Sequence, residues 1–132
     1  MHAGVDARTC VFIGHSLGSV VAYEYLCHYP KPESAVLITL GSPLGIRTVI
    51  FDVLTPPPTA AGAGAWPGTS SWTNIADRDD IVALRKDLAP LFPPPAGVPA
   101  IVDRLVDNGG KPHSAERYLT TREAGAAIEA GL

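Results

Sequence analysis

An apolar run that ends in Gly-x-Ser-x-Gly and passes directly into an apolar helical pattern constrains this chain more than any other feature: Cys10-Val11-Phe12-Ile13-Gly14-His15-Ser16-Leu17-Gly18-Ser19. Residues 9–13 are β-branched and aromatic and read as a short buried strand. Residues 17–27 are apolar around most of a helical circumference and read as a helix that must be buried under a sheet. A serine on the tight turn between the two is held in a strained backbone conformation with its hydroxyl clear of the sheet. Gly14 and Gly18 are expected there because a Cβ at either position would collide with the neighbouring strand or helix. The backbone N–H of Leu17, at the start of the helix, points where negative charge would develop on a carbonyl attacked by Ser16. His28 falls in the last turn, where a partial positive charge suits the helix dipole, and Tyr29-Pro30-Lys31-Pro32 ends the helix.

In 132 residues, 46% of them hydrophobic and with a formal net charge of −3, there is enough apolar material for one globular domain over residues 1–132 and nothing to divide it. The ten Lys and Arg are scattered, so no basic stripe exists for nucleic acid and no polybasic patch for anionic lipid. No apolar run approaches the roughly 20 residues needed to span a bilayer. Asp6 and Arg8 stand where a signal peptide would carry its apolar core, and the expected compartment is the cytoplasm. Cys10 and Cys27 fall in the strand and the helix, which predicts two buried reduced thiols rather than a disulfide, and neither suggests a metal site.

Residues 34–40 form a second apolar run of strand length, so strand, buried helix and strand make a βαβ unit. Such a connection joins parallel neighbours and places Ser16 at the carboxyl end of the sheet, where ligands of open α/β folds bind. In residues 45–54, Ile46, Val49, Ile50, Val53 and Leu54 recur at helical spacing; Pro56-Pro57-Pro58 and an Ala/Gly run to Gly68 follow. The excursion over residues 41–70 is thus a candidate lid or acyl pocket, with completion of the core as the plainer reading.

Residues 71–76 look like a third strand, followed at once by Asp77-Arg78-Asp79-Asp80. A carboxylate that orients a catalytic imidazole belongs on a rigid turn at the same edge of the sheet as the serine. Asp80 is the choice, because Ile81-Val82 would anchor the turn and begin a helix through Leu84 and Leu88, while Asp77 or Asp79 could cap that helix or be solvated. Further on, residues 100–102 are apolar and lead to a helix-like or extended segment ending at Val106. The loop Asn108-Gly109-Gly110-Lys111-Pro112 then delivers His113 just before a short helix over residues 115–119. His113 is the candidate general base. His2 is terminal, His15 lies inside the serine turn and packs or touches a neighbouring strand, and His28 is at the far end of the first helix.

Taken in order, the Gly14–Ser19 turn, Leu40-Gly41-Ser42-Pro43-Leu44, the block from Trp72 to Ala83 and Pro112-His113-Ser114 resemble the carboxyl-terminal half of an α/β-hydrolase of the lipase-like and esterase-like kind, over about residues 9–120. The order Ser16, Asp80, His113 is the order of that family. The resemblance implies a partial α/β-hydrolase fold: a mostly parallel sheet of about three to four strands with flanking helices and without the amino-terminal strands. It implies Ser16 as nucleophile, Asp80 as acid, His113 as base and the Leu17 amide as one oxyanion donor, with no metal and no organic cofactor. The expected reaction is hydrolysis of a carboxylic ester through an acyl-enzyme, with a small acyl ester as substrate and an apolar pocket near Leu44, Ile46, Val49, Ile50 and Trp66. Acyl transfer to an alcohol and a non-catalytic binding or dimerising remnant are the other readings. Eight residues precede Thr9, so the strands and the loop that carry the second oxyanion donor are expected to lie outside this chain. A truncated longer protein, favoured by residues 4–8 as the tail of a helix-to-strand connection, or a minimal domain that dimerises through a free strand edge would fit.

Overall fold

The computed structural model describes residue 8 and residues 10–132. Within them, β1 (Val11–His15), β2 (Val36–Leu40), β3 (Ser71–Asp77) and β4 (Val102–Val106) form one sheet in the order β1-β2-β3-β4, with every neighbouring pair parallel. Helix α1 (Leu17–His28) joins β1 to β2, and α2 (Ala115–Leu119) and α3 (Arg122–Gly131) follow β4. The class is the expected α/β one. Thr9 and residues 4–7 lie outside the described residues, and the first strand runs on to His15 instead of ending at Ile13.

A sheet that grows strand by strand in one direction, with each crossover turning the same way, places its connections on one face. That face carries the larger core. Phe12, Leu37 and Trp72 from the strands meet Ala22, Tyr23 and Leu26 of α1, Phe51 and Leu54 from the β2–β3 connection, and Leu88 and Phe92 from the β3–β4 connection. The opposite face buries Ile38, Leu40, Ile75 and Val106 under Tyr118 of α2 and Ala124 of α3. β2 is buried at every position, as a parallel strand covered on both faces must be, and its side chains alternate between the two cores. Thr39 alone is polar. Its Oγ1 accepts from Trp72 Nε1 at 3.0 Å and donates to Asn74 Oδ1 at 2.7 Å, while Asn74 Nδ2 donates to Asp103 Oδ1 at 3.0 Å. Thr39, Asn74 and Asp103 are in register on β2, β3 and β4, so a polar row runs across three strands. Asp103 also accepts from the amides of Leu88 and Ala89 and Asn74 donates to the Lys86 carbonyl oxygen, which ties the long β3–β4 connection to the sheet.

Several expectations are corrected. Helix α1 buries one face only, through Ser19, Ala22, Tyr23 and Leu26, and leaves Leu17 and Val21 exposed. Residues 45–54 are turns and a single 3₁₀ turn, Phe51–Val53, because Thr48 takes a φ of 60°, which no α-helix accommodates. Residues 81–88 form no helix either: Ile81 is 84% exposed and anchors nothing, and the turn is held instead by Asp80, Lys86 and Leu88. Cys10 and Cys27 are free but only partly buried. The carboxyl-terminal helix α3 has little hydrophobic pattern to announce it, since its Ala-rich stretch carries few large apolar residues. Its start is nonetheless signalled by Thr121, whose hydroxyl oxygen accepts from the Ala124 amide at 3.1 Å as an N-cap. Among the described residues, no helix is long and apolar enough to cross a membrane.

Candidate active site

Because all four strands point the same way, their carboxyl ends deliver Ser16, Gly41, the turn after Asp77 and the loop after Val106 to one edge of the sheet. Ser16 leaves β1 with φ 58° and ψ −132°, a conformation L-residues avoid, and its amide donates to the Leu40 carbonyl oxygen at 3.0 Å. Its own carbonyl oxygen accepts from Ser19 Oγ at 2.6 Å, and Ser19 shares a second hydrogen bond of 2.6 Å with the Ser42 hydroxyl. The strained turn is therefore pinned from both sides. Gly14 is required as expected, since a Cβ there would stand 2.5 Å from Ser19 Cα. Gly18 is not: a Cβ there meets nothing within 4 Å, because the second residue of α1 faces away from the sheet.

Three side chains far apart in sequence meet at this edge. The Ser16 hydroxyl lies 2.9 Å from His113 Nε2, and His113 Nδ1 lies 2.8 Å from Asp80 Oδ2. A carboxylate only accepts, so Nδ1 carries the proton and donates to Asp80. This leaves Nε2 as the acceptor for the serine O–H. The Asp80 side chain is fully buried and that of His113 is 33% exposed, so the ring can meet a ligand while its partner is shielded. Of the acidic cluster, Asp77 neither caps a helix nor is solvated. It is buried, with Oδ1 accepting from the Asp79 amide at 2.7 Å and Oδ2 from the Asn108 amide, so it joins the end of β3 to the start of the loop that carries His113.

Asp80 is surrounded by donors. Oδ1 accepts from the amides of Val82 at 2.9 Å and Ala83 at 3.4 Å; Oδ2 accepts from His113 and from the Tyr118 hydroxyl at 2.6 Å. Burial pushes this carboxyl up, but the hydrogen bonds from Tyr118, His113 and Val82 and the charge of His113 outweigh it and hold it below the ordinary carboxylate range. Lys86 Nζ donates to the Asp80 carbonyl oxygen at 2.6 Å and fixes the turn from the other side.

Three neighbours of the site are invisible to pattern reading. Tyr118 donates to Asp80 and accepts from the Asp77 amide at 2.8 Å; nothing in a five-residue helix announces that. Gly41, at φ 55°, passes so close that a Cβ would lie 2.6 Å from Asp80 Oδ2 and 2.9 Å from Tyr118 Cε2. His15 packs, as one of its two expected roles had it, with its ring against those of His113 and Tyr118, and its Nε2 also donates to the His113 carbonyl oxygen at 2.7 Å. Leu17 directly follows Ser16 as the first residue of α1, where an amide has no acceptor within the helix. Of the side chains read as an acyl pocket, Leu44 is buried in the larger core with Ile50 and Trp66 packed against that core, while Val49 is 65% exposed. Among the described residues, no group of three or more His, Cys, Asp or Glu is placed to hold a metal ion.

Compared with protein-family models, with curated proteins and with solved structures, the chain matches none.

Proposed function

We propose that this chain is a serine hydrolase that cleaves carboxylic esters through an acyl-enzyme. The observation that carries the reading is the unbroken chain of hydrogen bonds from Ser16 Oγ to His113 Nε2 and from His113 Nδ1 to Asp80 Oδ2, at 2.9 and 2.8 Å, built on a serine of strained conformation. In the first step Ser16 Oγ bonds to the ester carbonyl carbon as its proton passes to His113 Nε2; the Leu17 amide donates to the oxyanion, and Asp80 stabilises the imidazolium. The ester C–O bond then breaks, and the leaving alkoxide takes the proton from His113. Water repeats the sequence on the acyl-enzyme, giving up a proton to His113, and Ser16 is regenerated with release of the acid. The exposed aliphatic side chains of Leu17 and Ile81, each directly following a member of the triad, favour an apolar acyl group.

Labelling with a fluorophosphonate and hydrolysis of nitrophenyl esters of increasing chain length, with Ser16→Ala beside the parent, test this. The expected result is labelling and turnover in the parent alone; equal labelling of both proteins would remove Ser16 from the mechanism. Product analysis with added alcohol distinguishes acyl transfer from hydrolysis. A second reading, a non-catalytic module that pairs with a copy of itself, draws on one observation: among the described residues β1 has a strand neighbour only in β2. A folded, unreactive dimer would favour it.

A further inference from the structure

We propose that Tyr118 is a positioning residue that sets the basicity of His113 through the Asp80 carboxylate oxygen the two side chains share, an inference that rests on the hydrolase reading of the site. The phenol of Tyr118 and Nδ1 of His113 donate to one and the same oxygen, Oδ2, at 2.6 and 2.8 Å, while Oδ1 accepts from two backbone amides. An ionised carboxylate offers about four lone-pair sites, and here each has a donor. Two donors on one oxygen compete for the same electron density. The short bond from Tyr118 makes Oδ2 a weaker partner for the imidazolium than a carboxylate oxygen held by His113 alone.

Tyr118 acts as a fixed donor and not as a relay. Burial first, then the facing carboxylates of Asp80 and Asp77, push its phenol far above the ordinary tyrosine range, although the Asp77 amide that donates to its oxygen works the other way. Its ring is locked in the second core, and Gly41 leaves no side chain between ring and carboxylate. The other titratable or charged groups facing the cluster are Asp77 at the end of β3, Lys86 on the Asp80 carbonyl oxygen and His15 of β1. The His15 ring centroid lies 4.6 Å from that of His113 and 6.0 Å from that of Tyr118. Removing the phenolic oxygen keeps these side chains and also leaves the Asp77 amide without the acceptor it has in the parent.

Tyr118→Phe keeps the ring and deletes the donor. In the full chain, the midpoint of the His113 ring titration, followed by NMR, and the acid limb of the pH dependence of fluorophosphonate labelling are both expected to rise by about 0.5–1 unit. A 3-fluorotyrosine placed at position 118 is a stronger donor of nearly the same shape, and it is expected to move both midpoints down; it carries the test if the Phe variant does not fold. Titration midpoints that coincide with the parent's, or that fall in the Phe variant, overturn the proposal. A parent that neither labels nor hydrolyses esters refutes the hydrolase reading instead, while the NMR titration still decides whether Tyr118 acts on His113 through Asp80.

Discussion

Nε2 of His15 donates a hydrogen bond of 2.7 Å to the carbonyl oxygen of His113, a residue 98 positions away. The side chain just before the serine thus holds the backbone of the residue whose ring reaches that serine. His113 sits on a loop between β4 and α2 that is also held by Asn108 Nδ2 on the Pro112 carbonyl oxygen at 3.0 Å, by the Ser114 amide on the Lys111 carbonyl oxygen at 3.2 Å and by the Ser114 cap of α2.

Loss of that donor should loosen the ring. If the proposed hydrolase function holds, His15→Ala is expected to lower kcat for ester hydrolysis roughly tenfold with little change in KM, because misplacing a reacting group by a fraction of an ångström costs rate more than binding. His15→Gln, whose amide N–H can donate, should recover part of the loss. Steady-state kinetics of the three proteins provide the comparison; equal kcat values would show that the contact is idle.

Gly41 and Gly18 should respond to alanine with opposite signs. Gly41→Ala forces a Cβ to 2.6 Å from Asp80 Oδ2 at a φ of 55°, and urea unfolding should show a loss of more than about 1 kcal/mol. Gly18→Ala places its Cβ in open space on a helix and is expected to stabilise by about 0.5–1 kcal/mol.

Acid should undo the contribution of Asp80 to folding. Its carboxyl is held below the ordinary range in the folded protein, so between the folded and the ordinary values the unfolded chain binds a proton that the folded one does not. The stabilisation is complete above the ordinary carboxylate range and is lost as pH falls through the folded value. Urea midpoints of the parent and Asp80→Asn, measured from neutrality downward, should converge as pH drops below that range; a gap that widens in acid contradicts the assignment.

The larger core turns on Phe92, whose ring centroid lies 4.9 Å from Trp72, 5.2 Å from Tyr23 and 5.4 Å from Phe51. Phe92→Ala should cost about 3–5 kcal/mol by thermal or urea unfolding, the usual range for an aromatic removed from a packed interior.

Local pattern carried much of this architecture. The apolar run before Ser16, the helix after it, the largely apolar stretch of β2 and the capped helix after His113 are set by interactions within a few residues, and their periodicities stand in the sequence. Where pattern failed, the reasons differ. Ile46, Val49, Ile50, Val53 and Leu54 have helical spacing, but Thr48 at a φ of 60° and the Asp52 carboxylate on the Thr48 amide turn that segment locally, while the stretch from Ile81 to Leu88 is bent by distant groups. Asp103 takes the amides of Leu88 and Ala89, and Gly64 donates to the Leu91 carbonyl oxygen, bringing the two connections together.

What the sequence by itself determined is the order of the chemistry along the chain: a serine on a strand-to-helix turn, a cluster of acids after a strand, and a histidine on a glycine-rich loop. The choice of Asp80 from that cluster rests on an anchor at Ile81 that the structure does not contain, and the tertiary structure supplies the actual reason it faces the histidine. Asp77 and Asp80 are both buried, but the oxygens of Asp77 are taken by the amides of Asp79 and Asn108, while Oδ2 of Asp80 faces His113 and Tyr118. The same holds for Tyr118, His15 and Gly41. Their roles arise where the carboxyl ends of parallel strands converge, and hydrogen bonds between residues dozens of positions apart leave no periodic trace in the chain that makes them.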